Sequence, residues 1–142
     1  MALSEGIKRG TFELMILTLL QDGDMYGYQI TQELANRSHG MYSILEGSMY
    51  PTLYRLVNKR YLSDRHEKVG ARRTWIYYHL EESGKAYLTE LKKEYCGITL
   101  GIFNILGVTD INELQPKIML FCRLYKRITE ENSRIPHPGR AV

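Results

Sequence analysis

Hydroxyl and cationic side chains recur at helical spacing near the middle of the 142-residue chain. They stand at i, i+4, i+7 and i+11 and comprise Ser48, Thr52, Arg55 and Lys59. Residues at this spacing share one face of an α-helix. Hydroxyls and long cations can donate hydrogen bonds to phosphates and to base edges. The spacing therefore predicts a nucleic-acid contact, although an ordinary amphipathic helix with a solvated polar face has the same pattern.

Basic charge is concentrated on the same part of the sequence. Residues 55–73 contain seven Lys/Arg and two Asp/Glu, whereas the formal net charge of the whole chain is only +3. Lys68, Arg72 and Arg73 surround a glycine turn, and Arg65 extends the same edge. A phosphate-binding surface requires such a concentration of cations. We therefore expect the turn to contact the phosphate backbone, with a solvated charged face as the alternative.

Two aromatic segments stand where helices are expected to begin. Tyr50 and Pro51 lie at the start of the helix described above, and recognition helices insert this end into the major groove. Tyr28 belongs to the segment Tyr26-Gly27-Tyr28, which opens an earlier helix whose free N–H groups suit a phosphate. We expect Tyr28, Tyr50 and Pro51 to contact DNA. Packing in the core is the alternative for both Tyr26 and Tyr28.

The sequence offers no group of catalytic or metal-binding side chains. None of the four histidines stands at ligand spacing from a Cys, Asp or Glu on one predicted element. The two cysteines, Cys96 and Cys122, are far apart and are expected to be reduced, partly buried thiols. There is no phosphate-binding glycine loop and no Gly-x-Ser-x-Gly motif. We expect neither an enzyme nor a bound metal or other cofactor.

Three helices are predicted to carry these side chains. Apolar periodicity indicates helices over residues 11–21 and 26–36, separated by a break at residues 22–24. The third helix is expected to begin near Ser48 as its N-cap, with Pro51 in the first turn. Its buried side is expected to comprise Met49, Leu53, Leu56 and Val57.

Two strands are predicted after the third helix. Residues 61–68 and 74–80 have strand patterns and are joined by the turn at residues 69–72. In the second strand Ile76, Tyr78 and Leu80 are expected to point to one face. Three helices followed by a hairpin with a basic tip predict a mainly α fold with a small β-hairpin wing, which is a winged helix-turn-helix domain.

A longer amphipathic helix is predicted from Ser83 to about Leu106. Its apolar stripe has no evident cover within the chain, and a second copy of the chain is the simplest cover. The expected dimer interface comprises Leu88, Leu91, Tyr95, Ile98, Ile102 and Ile105. A second apolar helix is predicted from about Gln115, and the segment from Ser133 is expected to be unstructured.

These patterns divide the chain into a DNA-binding domain at residues 1–82, a helical dimerisation segment at residues 83–132 and a flexible tail at residues 133–142. Hydrophobic residues make up 44% and charged residues 25%, which is typical of a soluble globular protein. No apolar run is long enough to span a bilayer. The first residues lack the pattern of a signal peptide. We expect a cytoplasmic protein without a membrane partner.

Four blocks of the sequence resemble the PadR family of bacterial transcriptional regulators in order and spacing. They lie at residues 9–14, 26–30, 46–56 and 77–80, and the combination of Tyr50-Pro51 with Tyr26-Gly27-Tyr28 is their most specific part. The resemblance implies a winged-helix homodimer that binds a palindromic operator in double-stranded DNA, usually as a repressor. It also implies that a small molecule or another signal releases the DNA in many members. It places the recognition helix at residues 48–59 and the wing tip at residues 70–73.

Two other functions remain open from the sequence. One is a winged-helix module that binds proteins instead of DNA, and the other is a ligand sensor that acts through a partner protein. A fold alone does not decide between such functions. The basic stretch at residues 55–73 favours DNA, because a docking module has no need of cations on both the helix and the hairpin tip.

Overall fold

The computed structural model describes residues 2–108 of the 142-residue chain. These residues form four helices and a three-stranded antiparallel sheet with strand order β1-β3-β2. The elements in chain order are α1 (Ala2–Leu20), β1 (Met25–Tyr26), α2 (Gly27–Arg37), α3 (Glu46–Asn58), β2 (Leu62–Val69), β3 (Arg73–Leu80) and α4 (Glu82–Leu106). The fold is mainly α with a hairpin wing, as the sequence predicts.

One hydrophobic core joins all these elements. Its fully buried side chains come from α1, α2, α3, the start of β2 and the start of α4, and comprise Ile16, Leu17, Ile30, Met49, Leu53, Leu56, Leu62 and Leu88. The predicted buried side of the third helix is confirmed, with Val57 half-buried at its margin. Burial of apolar area at about 25 cal/mol per Å² is the main force that holds these elements together.

The wing is an antiparallel hairpin whose register runs from Leu62 opposite Leu80 to Val69 opposite Arg73. Gly70 turns the chain at the tip with φ +73°, a left-handed conformation that glycine adopts without steric cost. On the core side of β3, Tyr78 and Leu80 are buried and Ile76 is half-buried, which confirms the predicted face.

The short strand β1 is absent from the sequence-based prediction. Met25 pairs with Tyr78 and Tyr26 pairs with Tyr77, which makes β1 the third strand of the sheet. A pairing of two residues creates no alternating pattern, so periodicity could not indicate it. Its effect is to fix the loop before α2 against the base of the wing.

The third helix begins three residues earlier than predicted, because its N-cap is Leu45 and not Ser48. α3 begins at Glu46 after the extended residue Leu45, which supplies no side-chain cap. Ser48 is therefore inside the first turn, where its backbone N–H donates to the Leu45 carbonyl at 3.0 Å. Pro51 consequently lies in the second turn, where it has no N–H to donate to the Gly47 carbonyl. Gly47 is exposed, so water can satisfy that carbonyl.

The first helix also begins earlier than predicted, at Ala2 instead of Thr11. Gly6 and Gly10 have low helix propensity. Local propensity therefore gives no sign that the helix extends back to Ala2.

The start of α4 is fixed to the winged-helix domain. The Ser83 hydroxyl donates to the Arg60 carbonyl at 2.7 Å, and the Tyr61 and Tyr87 rings stack with centroids 4.3 Å apart. Leu88 is completely buried in the core of its own chain. The prediction that Leu88 belongs to a dimer interface is therefore wrong, because α1 and the rest of the core already cover it.

The second C-terminal helix from Gln115, the tail from Ser133 and the boundary at residue 132 all lie outside the described residues, as does Cys122. Over residues 2–108, no helix is both long enough and apolar enough to cross a membrane.

Candidate nucleic-acid interface

The solvent-facing side of α3 differs from the predicted polar face. Its exposed residues include Gly47, Ser48, Tyr50, Pro51, Tyr54, Arg55 and Asn58, and Tyr54 has 71% of its surface exposed. Thr52 is only 8% exposed, so the prediction that it lies on the exposed face is wrong. Since each helical residue turns by about 100°, Thr52 lies only about 40° from Leu56, on the edge of the buried face.

Tyr54 and Asn58 therefore take the place that sequence analysis gave to Thr52. They stand four residues apart on one side of α3, and both are exposed. Residue chemistry does not single them out. Their angular separation around the helix from the buried Met49, Leu53 and Leu56 is the sequence signal that indicates their exposure. Lys59 is exposed and caps the C-terminal end of this helix.

Arg55 lies beside this outer face and is paired with a carboxylate of α1. Its Nε and Nη2 groups donate to Oε1 of Glu13 at 3.0 and 2.7 Å. The Arg55 side chain is 53% exposed, whereas that of Glu13 is only 21% exposed. The second carboxylate oxygen of Glu13 accepts the Tyr87 hydroxyl at 2.8 Å. Burial and this hydrogen bond raise the pKa of Tyr87 to about 12.

Tyr50 packs the start of α3 against the start of α2. Its hydroxyl donates to Glu46 Oε1 at 2.6 Å, and this bond, followed by burial, raises the pKa of Tyr50 to about 12. A Cβ on Gly27 would stand 2.9 Å from the Tyr50 hydroxyl oxygen. Glycine at residue 27 thus allows the two helices of the helix-turn-helix to meet at this point.

A cleft of about 530 Å³ joins the starts of α2 and α3 to the wing. Tyr28 and Tyr50 line one side, and Arg73 and Trp75 line the other. Tyr28 is exposed, and the α2 N-terminus has no side-chain cap. Its unpaired N–H groups carry partial positive charge. The cleft therefore brings three of the predicted DNA contacts, Tyr28, Tyr50 and Arg73, to one surface.

The cations of the wing divide into free and paired groups. Lys68, Arg72 and Arg73 are exposed and form no ion pair with any other residue of the 2–108 range. Arg65 instead binds Asp24 and Glu67 and lies 4.9 Å above the Tyr77 ring. The expectation that Arg65 extends the positive edge is therefore wrong, because two carboxylates balance its charge.

Asp24 attaches the loop before β1 to the outer face of the wing. Its carboxylate contacts His79 Nδ1 at 2.6 Å and also accepts a hydrogen bond from Arg65. The hydrogen bond with His79, partly offset by burial, is the largest cause that holds the pKa of Asp24 below its ordinary value. Beside this group Tyr26 and Trp75 stack with ring centroids 4.4 Å apart. These contacts fix the base of the wing.

The second half of α4 carries an apolar stripe that is exposed among the described residues. Of the residues predicted for a dimer interface, Tyr95, Ile98, Ile102 and Ile105 are exposed, and Ile105 reaches 87%. Leu91 is partly buried against the core of its own chain. Leu100 and Leu106 are also exposed and were not in the predicted set.

The side chains described here include no group of three or more His, Cys, Asp and Glu residues that could hold a metal ion. Cys96 is an exposed free thiol on α4, so the expectation that it is partly buried is wrong. The cleft between α2, α3 and the wing is lined by aromatic rings, the Arg73 cation and the Glu46 carboxylate, which accepts the Tyr50 hydroxyl.

Three helices, a hairpin with free cations and a cleft between them define a winged helix-turn-helix domain. The family model described as "Transcriptional regulator PadR-like family" matches residues 16–90, which is more than half of the chain. The chain belongs to this PadR-like family of transcriptional regulators.

Relatives of known class match in sequence and in structure. A transcriptional regulator of Mycobacterium tuberculosis is 35% identical over 83 residues, which cover 58% of this chain and 74% of the relative. The structure of a transcriptional regulator from Clostridium thermocellum has a TM-score of 0.62 and 26% identity, with 74% of this chain and 96% of that chain covered.

A third similar structure contains DNA. It is Bacillus subtilis PadR in complex with operator DNA, with a TM-score of 0.52 and 29% identity. The similarity covers 56% of this chain and 45% of the Bacillus chain, so it concerns only part of that protein.

Proposed function

We propose that this chain is a homodimeric transcriptional regulator that binds a specific sequence in double-stranded DNA. The observation that carries the proposal is the single surface formed by the outer face of α3, the start of α2 and the cations of the wing. A protein that docks only on other proteins would not need hydrogen-bond donors and free cations on all three elements. The operator complex of the similar Bacillus protein supports the same function.

In this proposal α3 lies in the major groove. Tyr50, Pro51, Tyr54 and Asn58 face the base edges, and Arg55 reaches the groove from the side. An asparagine can form two hydrogen bonds with adenine, and an arginine can form two with guanine. Ser48 and Lys59, at the two ends of α3, contact the flanking phosphates.

The wing and α2 contact the phosphate backbone on either side of the groove. Lys68, Arg72 and Arg73 bring positive charge that no carboxylate of residues 2–108 balances. Tyr28 adds a hydroxyl beside the uncapped N-terminus of α2. Contacts of this kind set the orientation of a protein on DNA without selecting its sequence.

The second copy of the chain covers the apolar stripe of α4. Four exposed side chains with helical spacing, Tyr95, Ile98, Ile102 and Ile105, would be removed from water by the same face of a partner. A dimer with two recognition helices requires an operator with two inverted half-sites. Sedimentation at micromolar concentration checks this part. Ile98→Asp is expected to give monomers, whereas Glu94→Gln on the same helix is expected to leave the dimer intact.

We further propose that the regulator represses transcription in the bacterial cytoplasm and that a small molecule releases it from DNA. A cleft of about 310 Å³ between α1, α3 and α4 supports a site for such an effector. Its lining includes Arg55 of the recognition helix and Leu91, Tyr95 and Ile98 of α4. A ligand bound there would contact a groove-facing side chain and the interface helix together.

The test of the function is a comparison of two affinities. Duplexes selected from random-sequence DNA by the full chain supply the specific probe, and an unselected duplex of equal length supplies the control. At one salt concentration we expect the selected duplex to bind about 10³-fold or more tightly than the unselected one. Equal affinities for the two duplexes would overturn the proposal in favour of a protein-docking module.

A further inference from the structure

One carboxylate connects the recognition helix with the helix that follows the wing. Glu13 Oε1 accepts two hydrogen bonds from Arg55 of α3, at 3.0 and 2.7 Å. Glu13 Oε2 accepts the hydroxyl of Tyr87 on α4, at 2.8 Å. Neither contact was indicated by the sequence, because the two partners lie 42 and 74 residues away from Glu13 along the chain.

Glu13 is held rigidly by the helix to which it belongs. The neighbouring Ile16 and Leu17 are completely buried, and Leu14 is nearly so. With three hydrogen bonds to two other helices, the carboxylate has little freedom to change its rotamer. A rigid carboxylate fixes the direction of a long side chain that would otherwise sample many rotamers.

The pairing with Glu13 leaves the other edge of Arg55 free. A guanidinium has five N–H donors, and this contact uses those of Nε and one of Nη2. The remaining N–H groups of Nη1 and Nη2 form the edge that can bind two acceptors at once. Among residues 2–108, Glu13 is the only partner of the guanidinium, and the Arg55 side chain is 53% exposed.

We propose that Glu13 is a positioning residue that holds Arg55 for bidentate recognition of a guanine in the operator. The hydrogen bond from Tyr87 makes this positioning depend on where α4 packs against the domain. The inference rests on the proposed function, since it assumes that α3 contacts base edges. Surface ion pairs contribute little to stability, with typical values below about 1 kcal/mol. The main consequence of this one is preorganisation, which lowers the entropy lost on binding.

The experiment measures the ratio of affinities for the selected duplex and for an unselected duplex of equal length. The variants are Glu13→Gln, Tyr87→Phe, Arg55→Ala and the double variant Glu13→Gln/Arg55→Ala. Glu90→Gln is the matched control, because Glu90 undergoes the same chemical change and, among residues 2–108, pairs only with Lys93 of its own helix. Thermal melts set a temperature at which every variant is folded.

Glu13→Gln is expected to lower the ratio about tenfold, which is part of the loss expected from removing an arginine that contacts a base. Tyr87→Phe is expected to lower it about threefold, less than Glu13→Gln does, because the variant loses one of the three hydrogen bonds of the Glu13 carboxylate and keeps its pairing with Arg55. Glu90→Gln should leave it unchanged. In the Arg55→Ala background, Glu13→Gln should have no further effect, and a merely structural role of Glu13 would not produce this dependence on Arg55.

Two results would overturn the inference while the proposed function stands. One is a wild-type chain that prefers the selected duplex and a Glu13→Gln variant with the same ratio. The other is a loss from Glu13→Gln that is equally large in the Arg55→Ala background. A wild-type chain without any preference would overturn the proposed function itself, and the inference with it.

Discussion

A Cβ atom on Gly84 would lie 2.2 Å from the carbonyl oxygen of Tyr61, closer than any side chain can approach. The same atom would stand 2.7 Å from the side chain of Leu80. The first turn of α4 therefore rests directly on the backbone that links α3 to β2. This close approach makes α4 a rigid continuation of the winged-helix domain instead of a flexible appendage.

Gly84→Ala is therefore expected to destabilise the fold by about 1–3 kcal/mol or more, because the backbone of residue 61 has to move. The measurement is the free energy of unfolding from denaturant titration. Gly10→Ala in α1 is the control, since a Cβ there meets nothing within 4 Å. That change should stabilise the chain by about 0.5–1 kcal/mol through helix propensity. Equal stability of Gly84→Ala and wild type would contradict the close approach.

The parts of the fold that could be predicted are those set by local patterns. The spacing of Met49, Leu53 and Leu56 was sufficient to place the buried side of α3, because a helix repeats every 3.6 residues. The alternation of Tyr78 and Leu80 was sufficient to place the inner face of the wing.

The parts that could not be predicted depend on contacts between distant residues. The pairing of Tyr26 with Tyr77, which forms β1, has no local signal. The role of Glu13 also has no local signal, because a charged residue is ordinary on an amphipathic helix. Only the packing of α3 and α4 against α1 brings Arg55 and Tyr87 to its carboxylate. The polar chemistry of Thr52 favours an exposed position, but its angle around the helix places it beside Leu56 on the edge of the buried face.

The two faces of α3 should respond differently to truncation. Leu53→Ala removes a completely buried side chain and is expected to lower the free energy of unfolding by about 2–5 kcal/mol. Asn58→Ala changes an exposed side chain and should leave stability nearly unchanged. It is expected to weaken binding to the selected duplex by about 1–3 kcal/mol if Asn58 contacts a base. A large loss of stability in Asn58→Ala, with DNA binding intact, would reverse this assignment of faces.

The wing arginines are expected to bind phosphates and not bases. Replacing Arg72 and Arg73 by alanine should flatten the slope of log K against log[salt] by about 0.9 for each phosphate that is no longer neutralised. Affinity should fall equally for selected and unselected duplexes. Lys85→Ala/Lys93→Ala on α4 has the same change in net charge and should leave the slope close to the wild-type value. A large loss of preference for the selected duplex, with an unchanged slope of log K against log[salt], would mean that the wing recognises sequence.

Asp24 makes a pH-dependent contribution to stability. Its pKa in the folded chain is lowered from 3.8, chiefly by the hydrogen bond with His79. A carboxyl group with a depressed folded-state pKa stabilises the fold above its unfolded pKa, and this contribution is lost as the pH falls through the folded value. The difference in unfolding free energy between wild type and Asp24→Asn should therefore shrink as the pH falls below 3.8. A difference that stays constant through that range would contradict the attachment of the wing by Asp24.

The central claim is that two copies of the chain place two α3 helices in the major groove of one DNA site. Selection of bound duplexes from random-sequence DNA, followed by sequencing, tests it most directly. The predicted result is an enriched palindrome whose half-site centres lie about 10–10.5 base pairs apart, or a multiple of that spacing. Failure to enrich any sequence, or enrichment of one unrepeated motif bound by a monomer, would contradict the claim.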